Sequence, residues 1–354
     1  MRGLRSPQGP SLLWRYPDYP QGGAFLCFAS VEQRISIDRI TDAYQVIDSV
    51  FKDSPQYVCD PISEQLGLDI VLKVECLNPI RSFKGRGTDY LIHRLGSHKH
   101  GYVCASAGNF GQGMAYSARR HGIAITVFAA TNANPLKIER MRALGAEVVL
   151  EGDDFDGAKD AARRRADETG AIFIEDGAVA PIAEGAGTIA LELGRMEKPI
   201  DAVLVPLGDG ALVTGMGLWI KRESPSTRVI GVVPEGAPAM EMSWRAGRAV
   251  TTESISTISD GIAVRAPVAD AVRDMKETVD DVVHVSDDET VEAMRMLMND
   301  AGLIVEPAGA VGLAAAKKLR VTWGGGRIAV IVTGGNITPD QIRSWLLSPP
   351  AAPR

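Results

Sequence analysis

The stretch Ile70-Val71-Leu72-Lys73-Val74, followed after a short gap by Asn78-Pro79-Ile80-Arg81-Ser82-Phe83-Lys84-Gly85-Arg86-Gly87, reads as a strand that runs through a polar turn into a helix. A β-branched run this short and continuous suits a strand covered on both faces. Apolar residues at spacings of three and four over 86–95 suit a helix. Working outward, the same alternation repeats. Strand-like runs are expected at 123–128, 147–150, 202–206, 229–233, 282–285 and 328–332. Helical stretches are expected at 111–121, 135–144, 157–169, 185–196, 214–222, 287–300 and 309–319. Before them a helix is predicted over 38–51, starting near Ser36 and ending before Pro55. Strand–helix alternation on this scale means parallel sheets covered by helices, so the fold class is α/β. In such sheets ligands collect beyond the carboxyl ends of the strands, where loops meet helix N-termini.

The chain has 354 residues, more than one compact core usually takes, so two domains are expected. Hydrophobic residues make up 45% and charged residues 23%, with a net charge of −6, an ordinary globular composition that does not favour a nucleic-acid partner. The dense basic run Arg163-Arg164-Arg165 falls in a helical stretch and reads as a solvated face. The four cysteines, Cys27, Cys59, Cys76 and Cys104, form no C-x-x-C pair and have no histidine cluster beside them. Neither a zinc site nor a disulfide framework is expected, and a reducing, cytoplasmic setting fits. The first residues, rich in Pro, Gly and Arg, lack the apolar core of a signal peptide, and no run of about 18 apolar residues exists to span a membrane.

Four segments at strand-to-helix junctions carry chemistry. Lys84 stands at a helix start, where the partial positive charge of the helix disfavours a structural cation. That setting is expected to lower its pKa and to favour a nucleophilic or Schiff-base role, against the plain alternative of a surface lysine. Ser106-Ala107-Gly108-Asn109-Phe110 opens another helix, and its backbone amides form an anion cradle suited to a carboxylate, or else merely a tight turn. Gly208-Asp209-Gly210-Ala211-Leu212 is a glycine loop before a helix, a natural host for a phosphate. It lacks the Gly-Lys-Ser/Thr of a Walker A loop and the acidic residue of a dinucleotide fingerprint. Thr333-Gly334-Gly335-Asn336 closes the last β run with a hydroxyl able to hydrogen-bond a heteroaromatic nitrogen, or with an ordinary turn.

Together and in this order the segments resemble the fold-type II pyridoxal-phosphate enzymes, over residues 52–338. Among these the likeness is to threonine and serine dehydratases. It rests on Ser82-Phe83-Lys84, Ser106-Ala107-Gly108-Asn109, Ile258-Ser259-Asp260-Gly261-Ile262-Ala263-Val264 and Val305-Glu306-Pro307-Ala308-Gly309-Ala310. The resemblance implies two parallel-sheet α/β domains with pyridoxal 5'-phosphate in the cleft between them. The large cofactor-binding domain would be discontinuous, 30–98 plus 180–345. A small mobile substrate-binding domain would span 99–179, and 1–29 would be an N-terminal arm. It implies that Lys84 holds the cofactor as a Schiff base and moves protons at the α-carbon. Phe83 would lie against the ring, Asn109 would bond the ring hydroxyl, and Thr333 the pyridine nitrogen. Gly208 to Leu212 would grip the phosphate, and Ser106, Ala107, Gly108 and Phe110 the substrate carboxylate. Gly261 and Glu306 would line the pocket. The implied reaction is loss of water from a β-hydroxy-α-amino acid to give a 2-keto acid and ammonia, with the cofactor phosphate protonating the leaving hydroxyl. The implied assembly is a homodimer, with no membrane partner.

Departures from the family pattern refine this. Phe110 stands where dehydratases carry histidine or a similar residue, so a bulkier or aromatic substrate such as phenylserine is expected. Asp209 and Ala211 replace glycines, and the Asp209 carboxylate is expected to turn away from the phosphate, toward a neighbouring loop. Ala107 replaces the second base of serine racemases, which argues against racemisation. Ile230-Gly231-Val232-Val233-Pro234 lacks the glutamate of the family's metal site, so no metal is expected, with Glu235 next to it as the alternative ligand. About twenty residues follow the Thr333 segment, too few for an amino-acid-sensing domain. The alternative chemistry is β- or γ-replacement of the threonine synthase kind. Trp244 is placed in a loop that could reach the substrate.

Overall fold

The computed structural model describes residues 34–348. The N-terminal arm and Cys27 lie outside them. Among the described residues ten strands form two sheets: β1 (Gln56–Val58), β2 (Asp69–Val74), β3 (Tyr102–Ala105), β4 (Ile125–Ala129), β5 (Glu147–Leu150), β6 (Ile172–Ile174), β7 (Ala202–Pro206), β8 (Arg228–Pro234), β9 (Asp281–Val285) and β10 (Arg327–Val332). The larger sheet has the order β1-β2-β10-β7-β8-β9, and the smaller β5-β4-β3-β6. Of these strands only β1 runs antiparallel to its neighbour; every other pairing is parallel. The fold is α/β, two sheets parallel throughout but for the edge strand β1.

The continuous apolar runs follow from burial of both faces. Ile70, Leu72 and Val74 of β2 and Ile328, Val330 and Val332 of β10 enter one core, while Val71, Ala329 and Ile331 enter the core on the opposite face. Side chains alternate across a strand, so covering both faces requires apolar residues at every position. Lys73 is the exception, fully buried within β2, and its Nζ donates to Glu192 Oε2 at 2.5 Å.

The expected helix over 38–51 ends early. It spans Ile37–Val46, with the Ser36 hydroxyl accepting from the Arg39 amide. Ile47 is extended, and the Asp48 carboxylate caps a separate 3₁₀ turn, Ser49–Phe51. An aspartate that offers the backbone a local acceptor competes with helix continuation. Trp244 lies in the helix Ala239–Ala246, not in a loop, and does not line the cleft.

Three helices meet almost backbone to backbone beneath the cleft: Lys84–Leu95, Ala180–Leu193 and Ala211–Glu223. A methyl group at Gly185 would overlap the carbonyl of Arg86, and one at Gly215 the carbonyl of Ala183. Only glycine allows this approach. Arg86, in the first turn of the Lys84–Leu95 helix, is fully buried and reaches Glu75, Glu192, Thr188 and Ser54.

Candidate active site

The loops after β2, β3 and β7 each feed a helix: Lys84–Leu95, Asn109–Arg120 and Ala211–Glu223. Their N-termini converge on a cavity of about 650 Å³. Every residue to which the resemblance gives a cofactor or substrate role lines it except Ala211, whose side chain is buried beside the loop.

Lys84 is the centre of the cavity's electrostatics. Its Nζ donates to Asp176 Oδ2 at 2.6 Å and to Asp209 Oδ2 at 2.7 Å, and lies 5.0 Å from the centre of the Phe83 ring. Burial disfavours the charged ammonium, but the charges and hydrogen bonds of Asp176 and Asp209 outweigh it and hold the amine above its usual range. This corrects the expectation of a lowered pKa: two carboxylates at contact distance exceed the fractional charge of a helix end. Asp209 reaches neighbouring segments through Oδ2 and keeps Oδ1 within its own loop. Oδ1 accepts from the Ala211 amide of its own loop at 2.9 Å, and Oδ2 accepts from Lys84.

The carboxylate cradle is partly self-satisfied. Ser106 Oγ accepts from the amides of Gly108 and Gly111 at 3.1 and 3.0 Å. The first-turn amides of Asn109 and Phe110 have no intrahelical acceptor and remain for an anion. Phe110 is 5% exposed, its ring part of the small-sheet core and an edge of the cavity wall. Asn109 donates to Glu306 Oε1 at 2.6 Å and accepts from Asn336 Nδ2 at 2.7 Å. Burial pushes the Glu306 carboxyl up, and its Oε2 has no partner among the described residues. Gly261 approaches Ala308 and Glu306. Thr333 is 4% exposed, and its hydroxyl donates weakly to the Ala308 carbonyl at 3.3 Å. In the phosphate-type loop, Gly210 has φ +98°, a conformation that suits glycine and turns the chain into the helix.

Several polar residues in and around the cavity were given no role in the sequence reading. Asp176 follows β6, a strand of three residues too short to show a period. Its signal was positional, a carboxylate just beyond a strand's carboxyl end. Lys137 and Asp260 pair across the cavity at 2.6 Å, Arg265 pairs with Asp156, and Arg140 donates to Asn336. These contacts join segments of the smaller sheet to loops of the larger one.

The residues fit pyridoxal 5'-phosphate. A buried amine faces the cavity, a glycine loop opens a helix, a hydroxyl sits at the end of β10, and the buried oxygens Glu306 Oε2 and Asp176 Oδ1 lack partners among the described residues. The one feature against easy binding is Asp209, whose carboxylate occupies the Ala211 amide.

Residues 48–334 match the family described as pyridoxal-phosphate dependent enzyme. The chain is 38% identical over 311 residues to the L-threonine ammonia-lyase of Thermotoga maritima, covering 87% of this chain and 77% of that protein. It is 33% identical over 296 residues to the biosynthetic threonine dehydratase 1 of Solanum lycopersicum, covering 82% of this chain but 49% of that one, so it spans about half the length of the plant relative. The solved processed form of threonine deaminase isoform 2 from Solanum lycopersicum superposes with a TM-score of 0.80 at 29% identity, covering 87% of this chain and 88% of that one. Motif order, cavity and comparisons agree: this chain belongs to the pyridoxal-phosphate dependent enzyme family.

Proposed function

We propose that the chain is a hydroxyamino-acid ammonia-lyase, taking water from a β-hydroxy-α-amino acid of the threonine or serine type to leave a 2-keto acid and ammonia. The observation that carries this reading is the position of Lys84 Nζ, hydrogen-bonded to two carboxylates at the meeting point of three helix N-termini. The names of the relatives support it.

When bound, pyridoxal 5'-phosphate supplies the electron sink that acidifies the substrate α-proton. Lys84 would hold it covalently and carry the α-proton. The amides of Gly208 to Leu212 would hold the phosphate, Thr333 the ring nitrogen, and Asn109 the ring hydroxyl. The amides of Ser106 to Phe110 would orient the substrate carboxylate, helped by the helix dipole. Gly261 and Glu306 would close the wall. The cross-cavity pair Lys137–Asp260 would help exclude water.

The finer reading is a substrate side chain larger than threonine's methyl, supported by Phe110, Phe155 and Phe173 on the cavity wall. A homodimer in a reducing, cytoplasmic setting belongs to the same reading, and light scattering on the purified protein tests the dimer. The decisive experiment is keto-acid and ammonia release from a panel of serine, threonine and phenylserine. Turnover of at least one, abolished together with the cofactor's visible absorbance in Lys84→Ala, is the expected result. A clear preference for serine would refute the bulky-substrate reading, and no turnover of any would refute the ammonia-lyase reading.

A further inference from the structure

Building on the ammonia-lyase reading, we propose that Asp176 is the acid that protonates the leaving hydroxyl of the substrate. The other cations that line the cavity each have a carboxylate of their own: Lys137 with Asp260, Lys159 with Glu175 and Arg265 with Asp156. Among the described residues Lys84 alone bridges Asp176 and Asp209. Whenever Lys84 gives up its charge, as covalent attachment or proton transfer requires, two carboxylates that share one nitrogen at 2.6 and 2.7 Å face each other without it. Like charges so placed cannot both stay ionised, and one takes a proton.

The hydrogen bonds decide which one. Asp209 Oδ1 accepts from the Ala211 amide at 2.9 Å, which favours its anion. Asp176 Oδ1 is buried with no donor in reach among the described residues, which favours the acid. The groups bearing on Asp176 are Lys84, Asp209 and the buried thiol of Cys104. Burial first, then the Asp209 charge, push the Asp176 carboxyl up to about 7. Burial also disfavours the Asp209 anion, but the Lys84 charge outweighs it and holds that carboxyl low. Asp176 is therefore the member of the pair that carries the proton when Lys84 is uncharged.

The elimination then balances within this chain. The Cα–H bond breaks, Lys84 Nζ takes the proton, and the electron pair forms the Cα–Cβ double bond. The Cβ–O bond breaks with its pair going to oxygen, which takes the Asp176 proton and leaves as water. When Lys84 is next taken up covalently and must shed its charge, its proton passes to Asp176 Oδ2, 2.6 Å away, and both residues are restored.

The test compares serine with β-chloroalanine, whose chloride leaves without a proton, in the cofactor-loaded wild type and Asp176→Asn. Asp176→Asn is expected to lose about 10²–10⁴-fold on serine, the usual worth of a general acid. It should keep β-chloroalanine elimination near the wild-type rate, and still exchange the serine α-proton with deuterium oxide by NMR. Infrared spectra of the wild type should also show a protonated carboxyl band that titrates near neutral pH, titrates at lower pH in Asp209→Asn, where the facing charge is gone, and vanishes in Asp176→Asn. This readout needs no turnover, and its wild-type arm needs no variant to fold. Equal losses on both substrates, an undiminished serine rate (as expected if the cofactor phosphate is the acid), or no such band in the wild type would each overturn the assignment. A wild type that releases no keto acid from any hydroxyamino acid overturns the ammonia-lyase reading itself, a result separate from an active wild type with an unaffected variant.

Discussion

Replacing Arg86 with methionine should cost the enzyme much of its stability without touching the cavity wall. The Arg86 guanidinium donates to both oxygens of Glu75 at 2.8 and 2.9 Å, to both oxygens of Glu192 at 2.6 and 2.9 Å, and to Thr188 at 3.0 Å. All three charged side chains are 2% exposed or less. Methionine fills much of the volume but leaves two buried carboxylates, with Lys73 on Glu192 as the remaining bonded cation. Breaking one buried pair costs about 3–5 kcal/mol, and here two carboxylates lose their partner, so the upper end applies. At about 2 °C per kcal/mol for a large domain, the melting temperature of the holoenzyme should fall by about 10 °C. The loss should depend on pH. Burial disfavours the Glu192 anion, but the hydrogen bonds and charges of Arg86 and Lys73 outweigh it and hold its carboxyl below the usual range. Stability from such a group is present above its unfolded pKa and fades as pH falls through the lower folded value. In Arg86→Met the Glu192 carboxyl gains by taking a proton, so the gap between variant and wild type should narrow as pH drops below about 5. Thermal melts of both proteins from neutral to mildly acid pH are the assay. A variant within about 1 kcal/mol of wild type at neutral pH, or a gap that does not narrow in acid, would refute the reasoning.

Two further outcomes follow from the geometry. Asp209→Gly frees the Ala211 amide and removes a negative charge from the phosphate-type loop, so cofactor titration of the apoenzyme should show binding tighter by about fivefold, the worth of roughly 1 kcal/mol of like-charge repulsion. Unchanged or weaker binding would mean that this loop holds no phosphate. Gly215→Ala drives a methyl group into the Ala183 carbonyl and should destabilise the fold by about 1–3 kcal/mol in denaturant melts, an unusually large effect for adding one carbon.

The physical range of each signal separates what the sequence carried from what it did not. The large sheet was legible because burial on both faces forces unbroken apolar runs such as Ile70–Leu72 and Ile328–Val332, and these register without knowledge of their partners. β1 and β6, three residues each and only part-buried, carry no such pattern. Lys84 was legible from its turn and helix start. Its protonation was not, because the carboxylates that set it come from 92 and 125 residues away. A local argument sees the helix end and misses the acids that tertiary folding brings to it. Asp209 shows the same limit. Its departure from glycine was visible, but its contact with Lys84 depends on how two sheet-end loops face each other. The helix expected over 38–51 failed for the opposite reason, a local competitor at Asp48 that the apolar spacing had hidden.

The glycine seam beneath the cleft ties the two ends of the chemistry into one mechanical part. The lysine-bearing helix and the phosphate-type helix touch the same central helix through backbone atoms, with no side chain between them to act as a cushion. A rotamer change cannot absorb a displacement there, so the distance from Lys84 to the 208–212 loop is fixed by main-chain geometry. Redesign of the pocket for another substrate can therefore vary the walls contributed by the smaller sheet while the amine and the anion cradle keep their spacing.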